Sequence, residues 1–438
     1  MSKKTFRLAI ISTLLITGLA AYAQDGAYNS YSPYTVFGVG DIYNQGTATT
    51  KSMGGVGIAT RNRRYLNYMN PAAITARDTL SFLMDFGVNN RNTVYRQDGI
   101  TSANNTFNIS DFAFSFPIYR SLTFAAGITP FSEVAYDFSS IITDQEIIGY
   151  TGNISYASSG SGGLYQIFGG VAFTVWDRLH LGVQGVYIFG NISKASSLTF
   201  TDSSYRTIYS GYEMDLHAGT VKLGAQYEHT LGPQTTMTLG ATYRFRAKMK
   251  GHRQDYRYGY ISDVVDTVRN VVDTFGSGSK IKVADELGLG VSIKKGDKWM
   301  LEVNYTRSDW SSSNFASETG FANEASVSFK ESVAESVRLG FEYTPNRNDI
   351  RYYYRRVTYR AGAYYNKMYY EVDGKKVNEF GLTLGLTLPV NKWYNGLTIG
   401  LEVGQRGGLN GELTRERYVG FYGGVNLHDI WFRKMRYE

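Results

Sequence analysis

Few residues of this chain are spaced for covalent chemistry. The five histidines, His180, His217, His229, His252 and His428, show no metal-ligand spacing. Cysteine is absent, so there is no thiolate ligand, disulfide or thiol nucleophile. Ser, His and Asp occur, but no motif orders them as a triad. The glycine cluster Ser52-Met53-Gly54-Gly55-Val56-Gly57-Ile58-Ala59-Thr60 lacks the lysine of a phosphate loop and has no strand–helix context. The expectation is a protein that is not an enzyme and has no metal or cofactor.

What the sequence offers instead is charge in a two-residue rhythm. Arg244 and Arg246 share parity with Thr238, Gly240 and Thr242, opposite Met237, Leu239, Ala241, Tyr243 and Phe245. Glu302 goes with Asn304 and Thr306, opposite Leu301, Val303 and Tyr305. Arg338 and Glu342 flank Gly340, opposite Val337, Leu339, Phe341 and Tyr343, and Arg360 keeps the register of Thr358 and Gly362. The same alternation runs through Phe380–Leu388 and Leu397–Gly404. Successive side chains of a strand point to opposite faces, so each segment has one apolar and one polar side. Many such strands with no helix between them must close on themselves. With grease outside and polar groups inside, the reading is all-β: a transmembrane antiparallel β-barrel. A charge facing lipid at mid-bilayer would cost roughly 2–4 kcal/mol, which fixes the register. Arg244, Arg246, Glu302, Arg338, Glu342 and Arg360 are then lumen residues, and Arg–Glu ion pairing with Glu302 or Glu342 is the expected role of Arg244 and Arg246.

Residues 1–23 read as a signal peptide: Lys3, Lys4 and Arg7, the apolar run Leu8–Leu19, then Ala21-Tyr22-Ala23. Removing three basic residues takes the net charge from +7 to 7 − 3 = +4, and no basic run suggests nucleic acid. Residues 24–77, rich in Gly, Asn, Tyr and Thr, read as an N-terminal hatch or plug, and 78–438 as the barrel. Fourteen strands are expected at 78–97, 103–118, 122–138, 160–176, 178–200, 205–230, 234–250, 278–295, 298–317, 325–345, 355–371, 374–390, 393–408 and 415–430. Connections at one end are mostly tight, whereas 139–159 and 251–277 are long outer connections, as in outer-membrane barrels; the tyrosines and valines of 251–277 suit either a partner-docking loop or a hairpin extending the barrel above the membrane. Trp176, Trp299, Trp393 and Trp431 fall at the level of the tight turns and Trp310 near the far end of its strand, a distribution suited to membrane interfaces. Thirty-six tyrosines and only seven prolines fit the same picture. The aromatic and apolar alternation of the last strand, followed by Trp431-Phe432, suits recognition by the barrel-assembly machinery during biogenesis.

Two short stretches are more specific. The glycine cluster is followed by Asn70-Pro71-Ala72-Ala73-Ile74 just before the first strand. In the third strand Thr129-Pro130-Phe131 places a proline where a ladder donor is needed, which predicts either an inward kink or a strand end at the rim. A Gly-rich hatch (Gly54, Gly55, Gly57) closed by Asn70, Pro71 and Ala72, and Gly127-Ile128-Thr129-Pro130-Phe131-Ser132 through Tyr136, resemble the FadL-type long-chain fatty-acid transporters of outer membranes. Ser132 departs from the glycine usual there. The resemblance implies a lumenal hatch and a kink at Thr129, Pro130 and Phe131 through which a hydrophobic ligand leaves sideways. PorV-type barrels of type IX secretion are relatives in that resemblance.

Two functions follow. The first is a channel of the Gram-negative outer membrane for a hydrophobic or amphipathic small molecule. The second is a non-transporting barrel that scaffolds a surface-protein secretion or assembly complex, with other surface or periplasmic proteins and outer-membrane lipid as partners. The polar lumen of the C-terminal half counts against fatty acid as cargo, since a lipid site is largely apolar.

Overall fold

The structure is a computed structural model that describes residues 31–78, 80–97, 99–119, 121–142, 149, 152–202, 204–261, 264–274, 281–315, 329–390, 395–408 and 413–430. The signal peptide, Trp393 and Trp431 lie outside the described residues.

Alternation becomes pairing. Fourteen antiparallel strands form one ring. They are β1 (Ser81–Gln97), β2 (Ile100–Tyr119), β3 (Leu122–Glu133, resuming as Tyr136–Ile142), β4 (Ile154–Val175), β5 (Leu179–Phe200), β6 (Thr207–Gly232) and β7 (Thr235–Arg244, resuming as Lys250–Ile261). They continue as β8 (Val264–Thr274, then Glu286–Lys295), β9 (Trp299–Asp309), β10 (Phe329–Glu331, then Val333–Tyr343), β11 (Thr358–Val372), β12 (Lys375–Val390), β13 (Asn395–Arg406) and β14 (Arg415–Ile430). Each strand pairs with the next, and β14 returns to β1 from Ser81↔Ile430 to Arg96↔Arg415. Closure removes the free edges that an open sheet would present.

The facing follows the sequence. Leu382, Leu384 and Leu386 of β12 are exposed, while Thr383 and Thr387 are buried. In β7, Leu239 and Tyr243 are exposed and Thr238, Thr242 and Arg244 buried. The outer wall is thus an apolar belt.

Two expectations are corrected, and of the two readings of 251–277 the described residues take the hairpin: Lys250–Ile261 pairs with β6 on one side and Val264–Thr274 on the other. Its alternating tyrosines and valines are good strand formers, so β6, β7 and β8 continue past the rim. The segment 139–159 likewise pairs Tyr136–Ile142 with Ile154–Gly160. Trp310 is not an interface residue: it is 1 % exposed and packs on Tyr369 at 5.1 Å between ring centroids.

Candidate functional site

Residues 31–78 pack against the inward faces of the strands. The segment makes a few short elements, a 3-10 turn at Pro33–Val36, the two-residue strand Asp41–Ile42, helix α1 (Ala48–Lys51) and a second 3-10 turn at Pro71–Thr75. Glycines of the wall make room for it. A Cβ on Gly362 of β11 would sit 2.2 Å from Gly54 N, and one on Gly240 of β7 would sit 2.2 Å from Ile58 O. Gly340, Gly385 and Gly424 meet Val56, Ser52 and Ala48 in the same way. The cluster Gly54-Gly55 is explained on both sides of the contact. Both residues have positive φ (70° and 77°), and a Cβ on Gly54 would meet the main chain of β10 and β11. Gly57 lies against Met69.

The Asn-Pro-Ala stretch has an equally local reason. Asn70 Oδ1 accepts from Ala72 N at 3.0 Å and caps the turn that Pro71 starts. Its Nδ2 donates to Ile58 O at 2.8 Å and reaches Ala225 O of β6 at 3.2 Å. Pro71 and Ala72 press on Gly182 and Gly224 of β5 and β6. One side chain therefore ties the turn, the glycine-rich stretch and the wall together.

Four of the six expected lumen charges, Arg244, Glu302, Glu342 and Arg360, are buried, and Arg338 is half-buried. Glu302 is fully buried and accepts from Ala59 N at 2.9 Å and from the Thr60 hydroxyl, so its partners belong to the inner segment and neither is an arginine. Arg360 Nε donates to Glu342 at 2.9 Å, and the two stand directly opposite across β10 and β11. Arg360 also lies over the Tyr65 ring at 5.1 Å. Arg338 donates to Asn44 and Gly55 O. Arg244 pairs with Glu286, directly opposite on β8, at 3.5 Å, which corrects the expected partners Glu302 and Glu342. Arg246 is not in the lumen. β7 breaks after Arg244, parity shifts so that Ala247 and Met249 turn inward, and Arg246 stays partly exposed, bound to Asp285 at 2.8 Å and to the Ser312 hydroxyl at 2.6 Å.

Sequence reasoning missed much of the polar interior. Arg406 binds Glu416 at 2.7 Å, Asp41 at 2.6 Å and Ser32 at 2.9 Å, so two inner-segment residues hang on one buried guanidinium. Tyr364 and Tyr422 donate to Glu402, and Tyr418 donates to Glu379 at 2.8 Å. Arg61 of the inner segment holds Glu228 and, at 2.9 Å, Gln226 of β6. Burial pushes the Lys51 ammonium down to about 8, although Asp111 and Glu402 draw it up; its Nζ donates to the Tyr43 hydroxyl at 2.7 Å. For Tyr364, Glu379, Glu402, Arg406, Glu416, Tyr418 and Tyr422 the signal was present as inward parity in β11–β14. A cavity of about 280 Å³ remains among Lys51, Arg91, Arg244, Glu286, Glu379 and Arg406, with further polar side chains around it.

The wall is interrupted at the third strand. The β2–β3 ladder runs from Tyr119↔Leu122 to Phe112↔Ile128 and stops. The β3–β4 ladder continues to Glu133↔Gly163 with a register shift between Pro130 and Ser132. Pro130, which parity would place outside, is buried, and Phe131 is 1 % exposed. Gln45 Nε2 donates to Pro130 O at 2.7 Å, Thr129 donates to Gln45 Oε1 at 2.9 Å, and Tyr43 N donates to Phe131 O at 2.9 Å. Thr129, Pro130 and Phe131 thus lean inward onto the inner segment; the proline lies within the strand and not at its rim.

With this geometry in view, a family model, described as BamG, matches residues 1–438. The chain belongs to the BamG family. No curated protein matches the BamG-family chain. Among solved structures it is similar to a FadL homologue of Pseudomonas aeruginosa, at 12 % identity, a TM-score of 0.59, and coverage of 90 % of this chain and 100 % of that one. The toluene transporter TbuX of Ralstonia pickettii matches at 13 % identity and a TM-score of 0.56, covering 87 % and 98 %. The toluene transporter TodX of Pseudomonas putida matches at 12 % and 0.57, covering 89 % and 100 %. At such identities the likeness establishes a FadL-like barrel fold and nothing about cargo.

Proposed function

We propose that this BamG-family chain is a plugged outer-membrane barrel that serves as an accessory subunit of an outer-membrane protein assembly complex. The observation that carries this reading is the interior. Residues 31–78 are fastened to the wall by buried charge-assisted bonds, Glu302 to Ala59 and Arg406 to Asp41 among them. The cavity left beside them carries several arginines, lysines and glutamates interspersed with apolar side chains such as Ile58, Phe168 and Val186. A site for a hydrophobic passenger is lined mainly by apolar side chains. The family name points the same way, to barrel assembly. Purification in mild detergent followed by native mass spectrometry tests the proposal. Stoichiometric partner polypeptides with no bound hydrophobic molecule support it; a bound hydrophobic molecule without partners refutes it.

The reading as a channel for a hydrophobic small molecule has one observation of its own in favour: the β2–β3 ladder ends at Phe112↔Ile128, where a sideways exit would lie, and the solved toluene transporters share the fold. Uptake of a labelled aromatic hydrocarbon that is lost on deleting the protein would favour the channel.

A further inference from the structure

The connection between β10 and β11 breaks a rule that the rest of its end obeys. In an outer-membrane barrel the short turns face the periplasm. The five other connections at that end of the ring span two to four residues each, but fourteen separate Tyr343 from Thr358. Those fourteen are firmly held. Asp349 accepts from Arg351 N at 2.9 Å and Tyr352 N at 2.7 Å, and pairs with Arg355 at 3.3 Å. Asn346 N donates to Arg355 O at 2.9 Å, and the Tyr353 and Tyr359 hydroxyls donate to Pro389 O and Tyr354 O, each at 3.1 Å. Arg351 and Arg355 lie over the Tyr352 ring at 5.1 and 4.9 Å, and Arg356 lies over Tyr353 at 5.0 Å.

Although fixed, the turn is uncovered: Ile350 to Arg355 are exposed without a break, Ile350 at 89 %. The charge there is one-sided. Residues 294–298 and 344–357 together hold seven basic side chains and two acidic ones. The two stretches adjoin, since Thr344 N donates to Lys298 O at 2.7 Å. The basic face continues onto the inner segment, where Arg64 binds Asp297 at 3.2 Å and exposed Arg63 stands 4.0 Å from Asp78. Arg347 and Arg356 line a small cleft with Tyr65 of the same segment. The patch thus runs from the rim across the plugged mouth. Lipid headgroups encircle a barrel and do not reach beneath its lumen, whereas a protein that covers the mouth does. Arginine and tyrosine are among the side chains that carry most of the energy at protein interfaces, and fixing them before contact lowers the cost of binding. Such a face calls for carboxylates, with an apolar recess for Ile350 among them.

We propose that this basic, aromatic face at the periplasmic mouth, centred on Ile350, Arg351 and Tyr354 and flanked by Lys295, docks the acidic face of a periplasmic polypeptide domain. The fixed turn supplies the anchor, and the positive field around it draws the partner in and sets its orientation. The proposal rests on the assembly-subunit reading and names the surface through which that subunit meets its periplasmic neighbour.

Photocrosslinking of the full-length protein in native outer membranes tests it, with benzoylphenylalanine placed at Ile350. The probe should join one polypeptide, at a stretch in which acidic residues outnumber basic ones by at least three. Arg351→Glu with Lys295→Glu reverses two charges while leaving the Asp349–Arg355 pair in place, and should cut the yield at least tenfold. Arg351→Lys with Lys295→Arg keeps both charges and should capture as the wild type does. Raising salt to 0.5 M, where the Debye length is about 4 Å, should lower the wild-type yield as charge reversal does. Hydrogen exchange over 344–357 reports whether the turn survives each substitution; if the reversed pair unfolds it, the salt titration of the wild type decides alone. Capture of lipid alone, capture at a stretch that is not acidic, or a yield indifferent to charge reversal and salt overturns the proposal. Equal loss in the charge-keeping and charge-reversed pairs also overturns it. Partners retained in native mass spectrometry beside an Ile350 probe that captures nothing refute this proposal alone, whereas absence of any partner removes the assembly reading as well.

Discussion

Replacing Gly362 by alanine should loosen the inner segment without disturbing the barrel. The added Cβ would lie 2.2 Å from Gly54 N and 2.3 Å from Met53 C, against about 3.4 Å for ordinary contact. Because those atoms are main chain, no rotamer change relieves the clash, and the segment must retreat by about 1.2 Å. Gly54 N donates to Thr383 Oγ1 at 2.8 Å, and Thr383 donates to Ser52 O at 3.1 Å. A retreat of that size breaks the first bond and leaves a buried N–H unsatisfied, at about 1–3 kcal/mol. Overpacking adds about 1–3 kcal/mol. A net loss of about 3 kcal/mol raises opening of the segment roughly 100-fold. Gly219→Ala and Gly169→Ala are controls, since a Cβ at either meets nothing within 4 Å. Hydrogen exchange over residues 50–60 reads the segment, and heat-dependent mobility in gel electrophoresis reads the barrel. Equal exchange in Gly362→Ala and the controls would refute the packing argument; loss of the folded barrel in Gly362→Ala alone would show that segment and wall are one cooperative unit.

Three further outcomes follow from the same geometry. Glu302→Leu removes the acceptor for Ala59 N and the Thr60 hydroxyl and should weaken docking of the segment by about 2–4 kcal/mol, seen as faster proteolysis between residues 55 and 65; Glu302→Gln should recover part of this. Lys51 has a folded pKa of about 8 against the ordinary 10.5, so as pH falls the unfolded chain takes its proton first. Docking should then be tightest at the alkaline end and lose up to about 3 kcal/mol as pH falls toward 8, with no further change below; denaturant titration between pH 8 and 9.5 should show this slope in the wild type and not in Lys51→Met. Pro130→Val restores a main-chain donor and should let β3 pair with β2 beyond Ile128, slowing exchange at Phe107–Asp111; unchanged exchange would mean that the bend is held by Gln45 and Tyr43 alone.

The strand count and facing were legible because parity in a membrane-facing sheet is enforced by the cost of a misplaced charge. Leu382, Leu384 and Leu386 admit only one register. The proline in β3 was legible as a break in pairing, although sequence left kink and rim equally open; the burial of Pro130, against its outward parity, and the end of the β2–β3 ladder at Ile128 decide for the kink. Partners inside the lumen were not legible. Arg244 meets Glu286, and Arg360 meets Glu342, by cross-strand register, but each pair is joined by a long connection, so counting back from a tight hairpin turn cannot place it. Arg246 was misplaced because the irregularity after Arg244 carries no proline or glycine to announce it. Trp310 shows the limit of composition: tryptophan favours interfaces, yet here a buried aromatic neighbour, Tyr369, claims it.

Planar-bilayer recording of the purified wild-type barrel tests the central claim most directly. With the inner segment held by Glu302, Asn70 and Arg406, the inserted protein should show no sustained conductance steps, and Gly362→Ala should introduce transient openings. A steady open conductance in the wild type would contradict a barrel closed by its own N-terminal segment.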